Sequence, residues 1–376
     1  MDVNAVKQAI AARLELKTPV NAVIGFDGFV DEVVHVVRSR SDAEHYERVT
    51  TLYEFGERIM KSAGLSTNAE LVVQNRKLGG NGPIFANALI SYDVDMTYIG
   101  ALGENAIDSV FEDMKNKSRE VIPLVDPGLT LATEFEDGKL MQSMLQSLNG
   151  ITWETIEKKV GVEKFIELLD SNELIGFENW TMIPYMSQIW EKILEVVIPQ
   201  LKNPTQNKVL FFDLADPEKR TREDVLHAMD LIKEFNKYYK TILGLNKKEA
   251  CEIAELLGME ISDYSEQPLE PLAKFLAEYM DIYCLVIHPV KEACCVFKGE
   301  YHLVEGPFCA KPKLTTGAGD NFNAGFIYGI MMGLEPQEAL VLGTGTSGYY
   351  VRNAGSANRA QMAAFLKDWA AGKSLD

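Results

Sequence analysis

The sequence has few cysteines and no pairing pattern among them. Cys251, Cys284, Cys294, Cys295 and Cys309 are odd in number and show no Cys-x-x-Cys spacing. This argues against a disulfide framework. The opening Met-Asp-Val-Asn also lacks a basic and then apolar leader, so a reducing, cytoplasmic setting is expected. No apolar run approaches the roughly 18 residues of a membrane span, so none is expected. His35, His45, His227, His288 and His302 are scattered without metal-ligand spacing, which argues against imidazole-bound metal. Positive charge is scarce: 37 Lys and Arg against 55 Asp and Glu leave a formal net charge of −18. Such a field repels phosphate backbones and anionic lipid, and the basic residues form only pairs such as Lys219-Arg220 and Lys247-Lys248. Nucleic acid and membrane surfaces are therefore poor partners.

What is present suits an enzyme. A chain of 376 residues, 47% hydrophobic, can bury a large core. Short apolar runs alternate with longer helical stretches, the pattern of an α/β fold with a mainly parallel sheet covered by helices on both faces. Strands are expected at 22–25, 97–99, 174–177, 209–213, 241–245 and 284–287. Most end in glycine or an acidic residue, and in open α/β sheets ligands bind at the carboxyl ends of strands. Two segments, near 68–78 and 128–145, read instead as strands joined by turns, with Asp137-Gly138 between apolar residues. They could form a small antiparallel sheet standing off the main body. No linker or repeat divides the chain, so one continuous domain over 1–376 with a small β lid is expected.

The most informative stretch is Leu314-Thr315-Thr316-Gly317-Ala318-Gly319-Asp320, followed by Phe322, Phe326, Ile327, Ile330 and Met331 at helical spacing. The glycines therefore sit at a helix N-terminus. Free backbone N–H groups and the helix dipole make an anion site there, and small residues let phosphate approach. Asp320, in the first turn, could accept a proton from an attacking hydroxyl, pairing a base with an anion stabiliser as phosphoryl transfer requires. The local sequence reads equally well as a glycine-rich turn in which Asp320 only stabilises the helix.

Thr-Thr-Gly-Ala-Gly-Asp followed by x-Phe-x-x-Gly resembles the C-terminal signature of the ribokinase, or PfkB, family of carbohydrate kinases. The resemblance implies a ribokinase-like three-layer α/β/α fold, with Gly317, Ala318 and Gly319 as anion hole, Asp320 as catalytic base and Thr316 on the nucleotide side. Three further segments match in the family's order. Gly25-Phe26-Asp27-Gly28-Phe29-Val30-Asp31 looks like the end of the first strand, with Asp31, and with less weight Asp27, meeting substrate hydroxyls. A turn or cap role is an equal alternative for Asp27. Leu78-Gly79-Gly80-Asn81-Gly82-Pro83 resembles the Gly-Gly signature, which implies substrate contacts from Gly79, Gly80 and Asn81. Asn246-Lys247-Lys248-Glu249 matches the Asn-x-x-Glu motif, which implies that Asn246 and Glu249 act on Mg²⁺ and phosphate through water. In isolation the same residues read as a helix N-cap and its capping box.

Three positions depart from the family pattern. Ile84 stands where asparagine is usual, Leu314 where aspartate contributes to a monovalent-cation site, and His288-Pro289-Val290-Lys291 where the nucleotide loop reads Thr-x-Gly; Lys291 is a candidate phosphate contact in its place. The acids of Phe212-Asp213-Leu214-Ala215-Asp216 point toward the site by topology and rank below the others. Gly343-Thr344-Gly345-Thr346-Ser347-Gly348 spells a dinucleotide fingerprint, but no βαβ unit follows it, so small residues for close helix packing are expected. The expected activity is ATP- and Mg²⁺-dependent phosphorylation of a hydroxyl on a sugar or sugar-like molecule. A nucleoside kinase of the same fold, or a non-catalytic sugar- or nucleotide-binding protein, are the alternatives. The resemblance also allows a homodimer through the lid.

Overall fold

The computed structural model describes residues 3–203 and 205–375. Fourteen strands appear among the described residues: β1 (Asn21–Phe26), β2 (Phe29–Arg40), β3 (Tyr46–Arg48), β4 (Leu71–Gly79), β5 (Asp95–Ala101), β6 (Glu120–Val125), β7 (Gly128–Glu134), β8 (Lys139–Met144), β9 (Leu174–Phe177), β10 (Val209–Asp213), β11 (Lys240–Leu245), β12 (Cys284–Ile287), β13 (Glu292–Phe297) and β14 (Glu300–Glu305). Nine form the main sheet in the order β14-β13-β12-β11-β10-β9-β1-β5-β6. From β6 to β12 every pairing is parallel; β13 and β14 add an antiparallel edge.

The central strands are apolar without alternation because both faces are covered. In β10, Leu210 and Phe212 enter one core with Phe26, Phe177, Trp190 and Phe235, while Phe211 enters the other with Phe85, Phe322 and Phe326. Each such fully buried ring stabilises the fold by about 1.5–3 kcal/mol. The result is the three-layer α/β/α arrangement expected from the sequence, with all six expected strands inside β1, β5, β9, β10, β11 and β12.

The chain leaves this sheet abruptly. Only Asp27 and Gly28 separate β1 from β2, and a Cβ on Gly28 would lie 2.0 Å from the Ala101 carbonyl oxygen, so only glycine fits. β2 founds the second sheet, pairing with β4 and β3 antiparallel and with β7 parallel; β8 returns antiparallel on β7. Helix Leu52–Lys61 packs on this sheet through Phe55, whose ring stacks 5.6 Å from Phe135. Its N-terminus is held by Thr51 and by the turn residue Asp137, which accepts the Leu52 N–H at 2.6 Å. The second sheet thus has its own small apolar cluster of Val36, Val49, Phe55 and Phe135. Among the described residues no helix is long and apolar enough to cross a membrane.

Candidate active site

The carboxyl ends of β9, β10, β11 and β12 present Glu178, Asp213, Asn246 and His288 to one edge of the main sheet. Helix Ala318–Met331 begins against this edge. Gly317 caps it with a left-handed φ of +88°, and Ala318 and Gly319 supply the first amides. A side chain at Gly317 would meet the Tyr350 hydroxyl at 2.9 Å, so the glycine is needed for both conformation and space. Tyr350 in turn donates to the carbonyl of exposed Thr316 at 2.9 Å and ties the loop to helix Pro336–Asn353.

Asp320 is buried in the first turn of this helix. The Asn81 side-chain amide donates to Asp320 Oδ1 at 3.0 Å and, more weakly, to Asp213 Oδ1 at 3.5 Å; Asn323 donates to Asp213 Oδ2 at 3.0 Å. Burial first, and then the Asp27 charge, push Asp320 up to about 8. Burial likewise pushes Asp213 and Glu178 well above the usual carboxylate range. Glu178 is fully buried, and neither of its oxygens has a hydrogen-bond partner among the described residues.

Asp27 lies behind the glycine segment, in keeping with the turn or cap alternative. It is fully buried, accepting from the Gly82 N–H at 2.9 Å, the Tyr98 hydroxyl at 3.3 Å and the Asn179 amide at 2.8 Å. It anchors the N-terminus of helix Asn81–Ser91 to the end of β1, as a carboxylate at a helix start does. A Cβ on Gly80, at φ +94°, would sit 2.7 Å from its Oδ2. Asp31 differs from expectation in place: it lies on β2, not at the end of β1. There it pairs with Lys77 on β4 and Thr130 on β7, and a Cβ on Gly79 would meet its Oδ1 at 2.3 Å. Asp31 thus reaches from the second sheet over the glycines that lead to Asn81. Burial raises it, against the opposing pull of Lys77.

Asn246 and Glu249 form the capping box. Asn246 Oδ1 accepts the Glu249 N–H at 2.9 Å, and Glu249 Oε2 accepts the Asn246 N–H at 2.8 Å. Glu249 Oε1 accepts the Asp216 N–H at 2.9 Å, so both carboxylate oxygens are engaged with main chain.

A cavity of about 350 Å³ opens beside Ala318 and Gly319. Asn246, His288, Pro307, Phe308, Thr344 and Gly348 are among the residues that line it. The glycine fingerprint at 343–348 lies inside helix Pro336–Asn353, as its context implied. It lets helices pack closely: Gly343 faces Phe322, while Gly325 of the partner helix faces Thr346. Lys291 does not line the cavity; its ammonium sits 5.3 Å from the Phe308 ring centroid.

A sequence profile of the prokaryotic ketohexokinase family matches residues 1–369. The chain belongs to that family. Its 30% identity to ketohexokinase from Haloferax volcanii extends over 373 residues, 98% of this chain and 97% of that protein. Among solved structures, ribokinase from Thermotoga maritima superposes with a TM-score of 0.62 at 18% identity, covering 93% of this chain and 100% of the other. Arabidopsis thaliana ribokinase complexed with ribose and ATP gives 0.64 at 15%, covering 94% and 99%. This prokaryotic ketohexokinase family member is thus a carbohydrate kinase with the ribokinase-like fold.

Sequence reasoning missed Glu178 and underweighted Asp213. Both follow directly on apolar strand runs, so the strand-end rule that singled out other residues applied to them as well. Tyr350 had no local signal, since its contact with Thr316 spans 34 residues.

Proposed function

We propose that this chain transfers the terminal phosphoryl group of ATP to a hydroxyl of a ketohexose, with Asp320 as general base. The observation that carries this reading is the buried Asp320 carboxylate in the first turn of a helix whose opening amides border a cavity of about 350 Å³. Extended similarity to the Haloferax volcanii ketohexokinase supports the substrate class.

Asp31 and Asn81, with the backbone of Gly79 and Gly80, hold the sugar, and Asp27 keeps the glycine segment in place from behind. Asn81 orients Asp320 so that the carboxylate takes the proton as the hydroxyl attacks in line. The amides following Gly317, through Ala318 and Gly319, hold the charge on the transferred group's oxygens. Thr316 and the cavity walls receive the nucleotide. Closure of the second sheet over the sugar excludes water.

Asn246 and Glu249 suit Mg²⁺ only through retained water, because their oxygens already accept main-chain N–H groups. When bound, the ion neutralises phosphate charge. Release of ADP from Mg-ATP is the test, measured with ketohexoses, aldohexoses, pentoses and nucleosides. A ketohexose should give the highest kcat/KM; preferential turnover of a nucleoside would overturn the substrate assignment.

A further inference from the structure

The ribokinase-like family pattern implies a monovalent cation beside the glycine loop, with an aspartate at the place of Leu314. The residues present do not fit one. An alkali ion leaves water only for a cage of oxygens, and a carboxylate among them offsets much of that cost. Leu314 has no side-chain oxygen, and it lines a cleft of about 250 Å³ together with Ile84, Tyr350, Ala354 and Ser356. Among the described residues the one carboxylate lining this cleft is that of Asp113, which is exposed and already bound by Lys117 at 2.7 Å. Ile84 adds a second apolar wall: its methyl carbons Cγ2 and Cδ1 stand 3.1 and 3.3 Å from where a Cβ on Gly317 would lie. Two departures from the family pattern, far apart in the chain, therefore meet at the same loop.

The loop carbonyls are engaged by the protein itself. The Thr316 carbonyl accepts from the Tyr350 hydroxyl at 2.9 Å, and the Gly317 carbonyl accepts the Asn321 N–H at 3.0 Å and its side-chain amide at 2.9 Å. Asn321 is locked in turn by the Ser356 hydroxyl, which donates to its Oδ1 at 2.8 Å, and the Lys313 N–H ties the start of the loop to the Val351 carbonyl at 2.8 Å. A peptide unit is planar. A donor that holds the Thr316 carbonyl therefore also aims the Gly317 N–H, and one that holds the Gly317 carbonyl aims the Ala318 N–H. Tyr350 is buried, and burial pushes its phenol up, so the hydroxyl stays protonated and remains a donor. Resting on the ATP-kinase reading above, we propose that the Tyr350 hydroxyl, together with Asn321, positions the glycine loop in place of a monovalent cation, and that phosphoryl transfer by this chain is independent of K⁺.

The test measures kcat and KM on the full chain in potassium, sodium and tetramethylammonium chloride at equal ionic strength, with ATP as its Tris salt, and repeats ATP binding by calorimetry in each salt. The three salts should give the same kcat and the same ATP affinity within about 2-fold once screening is matched. A potassium-specific rise beyond that range, in either quantity, would overturn the proposal. Tyr350→Phe removes only the hydroxyl and should lower kcat by about 3- to 10-fold in all three salts, the range for one hydrogen bond, with the sugar KM unchanged. An unchanged kcat, with or without a lower Tm, would reduce Tyr350 to a packing residue and overturn its positioning role. If no sugar gives ADP release in any of the salts, the kinase reading itself fails, which is a distinct outcome from turnover that follows potassium.

Discussion

Asp320 combines two properties that a hydroxyl-activating base needs: a fixed orientation, from Asn81 at 3.0 Å, and a proton affinity raised by burial to about 8. Replacing it with asparagine preserves the shape and removes the base, so Asp320→Asn should lower kcat by about 10²–10⁴-fold with ATP affinity nearly unchanged. Steady-state kinetics with a parallel ATP titration checks this, and comparable turnover in the variant removes Asp320 from the role. The active form is the carboxylate and its titration lies high. With limiting nucleotide, kcat/KM should therefore rise with pH along an acid limb centred near 8; a profile flat from pH 6 to 9 contradicts the assignment. Asp31 is the matching test of the proposed sugar contacts. Asp31→Asn keeps one acceptor of two and should raise KM for the sugar by about 10-fold with little change for ATP. Asp320 was legible from local pattern because a glycine run before a helical apolar period has a direct physical meaning. Asp27 stayed open between two roles because a carboxylate that meets a ligand and one that meets the N–H of Gly82 look identical in one dimension.

Among the elements, the glycine-capped helix and the capping box carry the site. Gly317 has a left-handed backbone and stands 2.9 Å, at its Cβ position, from the hydroxyl of Tyr350. Gly317→Ala should therefore destabilise the protein by about 1–2 kcal/mol from conformation alone, and displace the Tyr350–Thr316 contact. Denaturant melts together with an ATP titration will show whether stability and nucleotide affinity fall together, as this coupling requires. Asn246→Ala should cost about 0.5–2 kcal/mol through the lost cap. If Asn246 also acts on the metal through water, the variant needs more Mg²⁺ for half-maximal rate, which a Mg²⁺ titration at fixed ATP separates from the stability loss. The strands of the main sheet were readable because burial on both faces makes each a continuous apolar run. β2 was not. Only Asp27 and Gly28 separate it from β1, and the consecutive Asp31 and Glu32, one on each face, break the apolar pattern.

For the whole molecule the notable feature is that Asp27, Glu178, Asp213 and Asp320 converge from four distant parts of the chain, all raised chiefly by burial. Their folded forms hold protons that the unfolded chain releases near the ordinary aspartate value of 3.8, while burial holds Asp27 up at about 6 and Asp320 at about 8. The native state therefore binds more protons than the unfolded state over this window. The stability these groups allow is full below the unfolded value and is lost as pH rises through the folded ones. Thermal melts without ligand should show Tm falling from pH 5 to pH 9. Glu178→Gln should raise Tm at the alkaline end and flatten the dependence; a Tm that climbs with pH would refute it.

The α/β class, the six inner strands and the glycine-capped helix start are consequences of local chemistry: period and chain flexibility. Those properties belong to contiguous residues and so survive in one dimension. Asp27 at work behind the glycines, Asp31 arriving from a second sheet, Glu178 unpartnered and His288 set against Gly319 arise only when strands far apart in the chain are laid side by side. Burial and charge proximity act through space, and no contiguous stretch of residues contains that information.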